Sequence, residues 1–155
     1  MLVAISAFQT VTLQESAMEP TYSVSEKFFV NRALYKVSSP KRGDVIVFKT
    51  SASDSAALHI RRVIGLPGET VQVKDGKIYI NGKVYEENGA YQDMTDGGLA
   101  NSAITLESGE YFVLGDNRNN SEDSRFSDIG NISKKYIVGK VWFTVSPKNK
   151  IGFIK

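Results

Sequence analysis

Residues 70–85 read TVQVKDGKIYINGKVY, and this stretch constrains the fold more than any other. Apolar and polar side chains alternate through Thr70–Lys74 and again through Lys77–Ile80, the period of a strand with one buried face. Asp75-Gly76 stands between the two runs and Asn81-Gly82 ends the second. Both dipeptides tolerate the positive φ of two-residue hairpin turns, so the stretch should double back on itself as antiparallel strands. Similar signals recur along the chain. RGDVIVFK (42–49) carries a dense β-branched run, and LHIRRVIG (58–65) alternates and stops before Pro67-Gly68. EYFVLGD (110–116) reads as a buried strand ending at Gly115, and YIVGKVWFTVSP (136–147) as a long final strand with Gly139 placed for a bend or bulge. The expected fold is all-β, mainly antiparallel, with few helices.

The intervals between these strands differ in character. Glu86 to Ser108 is polar, rich in Gly, Asn and Asp, and aperiodic, as in a surface loop or small insertion. SASDSAA (51–57) reads as a second loop, and DIGNISKKYI (128–137) has room for a single helical turn. The apolar start, MLVAISAFQTVTL (1–13), is too short to span a membrane, for which about 20 residues are needed, and has no basic n-region of a signal peptide. It reads as the first core strand or as the stub of a membrane anchor.

With 155 residues, 41% of them apolar, the chain can build one domain around a real core. A net charge of +2 offers no argument for a nucleic-acid partner. The absence of cysteine excludes disulfides and thiolate chemistry. His59 is the only histidine, so a Ser-His-Asp triad must use it and a multi-histidine zinc site is impossible.

Three blocks carry polar chemistry. GDNRNNSEDSR (115–125) follows an apolar strand, which anchors its backbone and leaves its side chains to converge; alone it also fits an Asx-rich turn held by its own side chains. Arg61 and Arg62 are adjacent on a strand and point to opposite faces. One is expected inside or in a cleft, the other in solvent. A buried arginine needs a carboxylate, for which Asp123 is a candidate, while Asp123 and Arg125 could equally form a structural ion pair. QESAMEPTY (14–22) places Ser16 and Ala17 where a hydroxyl would be presented for chemistry.

Taken together, four ordered blocks resemble bacterial type I signal peptidases. That family shows Ser-Met-x-Pro-Thr, Arg-Gly-Asp-Val-x-x-Phe, Lys-Arg-x-x-Gly-x-Pro-Gly-Asp and Gly-Asn/Asp-Asn-x-x-x-Ser-x-Asp-Ser-Arg, in that order. Here stand Met18-Glu19-Pro20-Thr21, Arg42 to Phe48, Arg61 to Glu69 and Gly115 to Arg125. The resemblance implies a single ectodomain over 1–155, with a catalytic-like β core at 10–70 and 110–155 and a small β insertion at about 71–109. It implies an N-terminal anchor in the cell membrane, a site on the extracytoplasmic face, no cofactor and no metal. Its partners would be signal peptides or pilin precursors with small residues near the cleavage site. In the family a serine attacks the scissile carbonyl and a lysine of lowered pKa takes its proton.

Both dyad positions are substituted. Ala17 occupies the nucleophile position and Arg61 the general-base position. Arginine stays charged in proteins and cannot accept the proton. Ser16 is the alternative nucleophile, but on an extended segment one step turns a side chain to the other face. His59 shares a strand face with Arg61, about 7 Å along, and with alanine at 17 it has nothing to activate. Ser121 matches the serine that orients the lysine, Asp123 and Arg125 match a supporting salt bridge, and Met18, Pro20 and Thr21 complete the first block. Glu15 falls where some members of the family place a small or hydroxyl residue that helps bind the oxyanion; a carboxylate facing the site would oppose that charge. The chain as written is expected to be inactive. Three readings stay open: a pseudo-peptidase assisting pilin assembly or presenting extended peptides, an active peptidase disabled by engineered substitution, and a non-enzymatic adaptor that binds peptides by strand addition.

Overall fold

The computed structural model describes residues 7–53 and 55–154. Of the apolar start at 1–13, read above as first core strand or anchor stub, residues 1–6 lie outside the described residues and Phe8–Thr12 forms a strand. Two antiparallel sheets account for most of the regular structure. The larger is built from β1 (Phe8–Thr12), β2 (Lys27–Asn31), β3 (Val45–Phe48), β4 (His59–Gly65), β9 (Glu110–Leu114), β10 (Ile132–Ser133), β11 (Ile137–Ser146) and β12 (Gly152–Phe153). Its order is β1-β2-β11-β3-β4-β9-β10, with β12 also paired to β11. The smaller sheet, in the order β7-β6-β5-β8, comprises β5 (Thr70–Lys74), β6 (Lys77–Ile80), β7 (Lys83–Val84) and β8 (Ile104–Thr105).

The hairpin signals translate directly into backbone geometry. Asp75 and Gly76 have φ of 52° and 76°, and Asn81 and Gly82 have 52° and 80°, the paired positive values of a type I′ turn. Lys74 is therefore opposite Lys77, and Val73 and Val71 face Ile78 and Ile80 on the buried side. On β11 the register against β3 slips between Ile137 and Gly139. A Cβ at Gly139 would lie 2.4 Å from the carbonyl oxygen of Asn31, so only glycine lets β2 approach there.

Burial is organised in three clusters. One gathers Val11, Leu13, Met18, Phe28, Val30 and Ile60 beneath the first strands. A second joins Ile64, Phe112 and Leu114 to the inner face of the smaller sheet. The third packs Tyr35, Ile46, Phe48 and Val113 against the opposite face. The interval 86–108, read as a surface loop or small insertion, is tied down more firmly than its composition suggests: Met94, Ala100 and Leu106 are buried in the second cluster. Single apolar residues at irregular spacing carry no periodic signal, which is why sequence pattern alone misses them. A one-turn helix, α1 (Leu34–Val37), was also not foreseen; Asn31 Oδ1 accepts hydrogen bonds from the backbone N–H groups of Ala33 and Leu34, both at 3.0 Å. In the 128–137 stretch the helical turn is a short 3-10 turn, Lys134–Tyr136, following β10.

Neither strand arginine reaches solvent. Arg61 is 1% and Arg62 8% exposed. The expectation that one would be solvated assumed a half-covered sheet, whereas β4 runs between β3 and β9 with every residue from Ile60 to Gly65 buried.

Candidate functional site

The first block does not run extended through the site. Ser16–Met18 forms a 3-10 turn, which replaces the simple face-to-face alternation assumed for Ser16. Met18 is fully buried and roots the turn in the first core cluster, while Pro20 and Thr21 lie on the surface. The polar block holds the turn from the other side: Asn117 N–H donates to the Ala17 carbonyl at 2.9 Å and Asn117 Nδ2 to the Ser16 carbonyl at 3.1 Å. Gly115 sits where these segments meet. A Cβ there would lie 2.1 Å from Ser121 Oγ and 2.6 Å from the Ala17 carbonyl oxygen, so the approach requires glycine.

Glu15, Ser16, Ala17, Arg61, Asn119, Asn120, Ser121, Glu122 and Phe126 line one cavity of about 340 Å³. Positions 17, 61 and 121, the first and last of them 104 residues apart in sequence, thus line one site. Arg61 does not pair with Asp123. Its Nη1 donates to Glu15 Oε2 at 2.5 Å and to the Ile60 carbonyl at 2.8 Å, and its Nε donates to the Glu122 carbonyl at 2.7 Å. The other carboxylate oxygen of Glu15 is 2.9 Å from His59 Nδ1. Burial by itself would raise the Glu15 pKa; the hydrogen bonds from His59 and Arg61 outweigh it and hold the carboxyl at about 2. Glu15 therefore does face the site, but as the counter-ion of Arg61 rather than as a free negative charge. Ser121 Oγ is buried and, among the described residues, has no hydrogen-bond partner.

Around this centre the polar block is held by bidentate pairs. Arg125 grips Asp123 through Nε and Nη2, both at 2.9 Å, and donates to the Arg118 carbonyl at 2.7 Å. Asp123 in turn accepts the Gly115 N–H at 3.1 Å, and Ser124 Oγ accepts the Val113 N–H at 2.8 Å. Arg62 pairs with Asp116 at 2.8 and 2.7 Å and donates to the Gly43 carbonyl. Burial opposes the Arg62 charge, and the Asp116 carboxylate more than restores it, raising the pKa above the ordinary arginine value. The sequence reading missed Glu87, whose carboxylate receives both terminal nitrogens of Arg118 at 2.6 Å. That pair, with Tyr91 under the guanidinium at 4.2 Å, clamps the 86–108 interval onto the site block. Arg118 lay in the densest polar block, but nothing local points to a partner thirty residues away.

The chemistry available is limited by residue type. Ala17 has no nucleophilic atom, and the Arg61 guanidinium donates hydrogen bonds only. Ser16 is among the residues that line the cavity. Among the described residues, no group of three or more His, Cys, Asp or Glu side chains converges as a metal site, and no helix is long and apolar enough to cross a membrane.

Comparison with known proteins completes the picture. The family model described as signal peptidase, peptidase S26, matches residues 1–146. A signal peptidase I of Bacillus licheniformis is 33% identical, over 97% of this chain and 83% of its own length. Signal peptidase I T of Bacillus subtilis is 34% identical over 97% of this chain and 80% of its own. A signal peptidase I of Leptolyngbya laminosa is 38% identical over 90% and 70%. The solved structure of a signal peptidase I from Enterococcus faecalis V583 is 32% identical and superposes with a TM-score of 0.50, covering 66% of this chain and 96% of that one. The likeness runs through both the polar block and the antiparallel core, and this chain belongs to the signal peptidase family, peptidase S26.

Proposed function

We propose that this chain is a signal peptidase I-like protein that holds an extended peptide in its cleft without cleaving it. Ala17 stands at the nucleophile position, Arg61 at the general-base position and Ser121 at the base-orienting position; Met18, Pro20, Thr21, Asp123 and Arg125 support them. The observation that carries the reading is the bonding of Arg61. Its guanidinium is committed to Glu15 and to the carbonyls of Glu122 and Ile60, while Ser121 Oγ has no partner among the described residues. A hydroxyl that would serve an amine has lost it, and the cation has been recruited into a different network.

That network also favours natural divergence over recent engineering. Disabling a peptidase takes one substitution. Here three positions depart together, and the third, Glu15, is the carboxylate that makes a buried arginine at 61 affordable. The peptides bound would be signal peptides or pilin precursors with small residues at the cleavage site. The protein would work at the extracytoplasmic face of the cell membrane, assisting pilin assembly or presenting peptides.

The test is cleavage of a membrane-presented preprotein by the parent, Ala17→Ser, Arg61→Lys, the double variant, and the double variant with Glu15→Ser. The parent and single variants are expected to be silent. So is the double, because Glu15 beside a lysine favours the charged amine and denies it the role of base. Only relief of that carboxylate gives the lysine an opportunity to lose its proton. Cleavage by the parent overturns the inactive reading and points to Ser16 or His59. Cleavage by the double variant favours a recently disabled peptidase.

A further inference from the structure

We propose that a basic trough continues the cleft and receives an acidic segment of the bound peptide, an inference that rests on the peptide-holding reading above. A cavity of about 1140 Å³ is lined by Leu58, the neighbour of His59, and shares no lining residue with the cavity at Ala17. Arg32, Lys36, Lys49, Lys134 and Lys135 line the trough, and among the described residues no acidic side chain does. Among the described residues, none of these five cations takes part in a salt bridge. Lys134 Nζ is held in place by the Ser38 carbonyl and Ser39 Oγ, neither of which neutralises it. The adjoining 51–57 loop contains a single carboxylate, Asp54, in its sequence, which could cancel one charge of the five at most. In a chain whose net charge is only +2, five cations around one hollow, of which Asp54 can match no more than one, mark a site for negative charge.

Continuity with the cleft says what carries that charge. Gln9 of β1 and Leu58, just before β4, both line the trough. The same two strands lead on to Ala17 and to Arg61. From Leu58 to Arg61 is three residues, about 10 Å of strand. Among the described residues, both walls offer unpaired edges on the way: β1 is bonded only to β2, and β4 pairs with β9 only from Arg62 onward. An extended peptide with a small residue at Ala17 would therefore set side chains roughly three to six positions away over the trough. The cations stand on four separate segments, after β2, on α1, after β3 and on the 134–136 turn, and share the lining with the apolar Leu58, Ile137 and Val138. That arrangement suits carboxylates strung along a chain better than one compact phosphate.

The experiment titrates the intact protein with fluorescent synthetic peptides that share an Ala-Gln-Ala core. One set carries three glutamates on the N-terminal side, one carries them on the C-terminal side, and one has glutamines throughout. One acidic register should bind about tenfold tighter than the glutamine peptide at low salt, since each exposed ion pair contributes a few-fold at most, and the gain should fade at high salt. The variant Arg32→Gln/Lys36→Gln/Lys135→Gln, at three exposed lining positions, should lose the gain and keep the glutamine-peptide affinity. Equal binding of all peptides to the unaltered protein overturns the trough while leaving the cleft reading intact; this arm does not depend on the variant folding. Binding of no peptide overturns both. Binding of the acidic peptides even when the Ala-Gln-Ala core is scrambled supports the trough and sinks the cleft reading. Equal peptide affinities together with variant-sensitive binding to phosphatidylglycerol-containing vesicles would reassign the trough to a lipid surface and overturn the proposal.

Discussion

Glu15→Gln is the perturbation that most directly interrogates the site. The substitution keeps the shape and one acceptor oxygen but removes the charge that neutralises Arg61, whose side chain is 1% exposed. Removing one partner of a fully buried pair costs about 3–5 kcal/mol. Two features reduce that figure here. Arg61 retains the carbonyls of Glu122 and Ile60 as acceptors, and the Glu15 side chain is 34% exposed, so solvent screens its charge. Loss of about 1–2 kcal/mol at pH 7 is expected. The pH dependence follows from the depressed carboxyl. Glu15 falls from its ordinary 4.5 to about 2 in the folded protein. A group depressed on folding adds stability that is complete above its unfolded pKa and disappears as pH falls through the folded one. The gap between parent and variant should thus be constant above about pH 5, narrow between pH 4.5 and 2, and close near pH 2. Urea unfolding followed by tryptophan fluorescence, repeated from pH 7 down to the acid limit of two-state behaviour, measures it. A gap that stays constant through this window, or is absent at pH 7, would refute the account of Glu15 as the counter-ion of Arg61.

Two further outcomes follow from the supporting structure. Arg125→Leu leaves the Asp123 carboxylate, 0% exposed, without its cation, and should cost about 3–5 kcal/mol in urea unfolding; a loss below 1 kcal/mol would show the pair to be dispensable. Gly115→Ala forces a methyl group against Ser121 Oγ and the Ala17 carbonyl, so destabilisation of about 1–3 kcal/mol and weakened peptide binding are expected, and an unchanged midpoint would contradict the close approach described.

Much of the fold was legible because its signals are local. Alternation along 70–80 specified which faces of β5 and β6 are buried, and Asp75-Gly76 set their register, since both act within a few residues. The Asp123–Arg125 pair was also readable: two residues apart, its members need only a turn to meet. The Arg61 partner was not. Asp123 looked suitable on sequence and is taken by Arg125, while Glu15, forty-six residues upstream, reaches Arg61 because the 3-10 turn at Ser16 carries it over the start of β4. Glu87 was invisible as the mate of Arg118 for the same reason.

Residue chemistry needs no tertiary structure. That alanine at 17 cannot attack a carbonyl and arginine at 61 cannot take a proton is determined by the side chains themselves, as are the strand periods and the turns between them. The tertiary structure decided which charges neutralise one another, how deeply both strand arginines are buried, and which hydroxyl is left without a partner. Those outcomes depend on closing loops of tens of residues, and in a buried site a charge takes whichever carboxylate the packed backbone brings within hydrogen-bonding distance, not the one nearest in sequence.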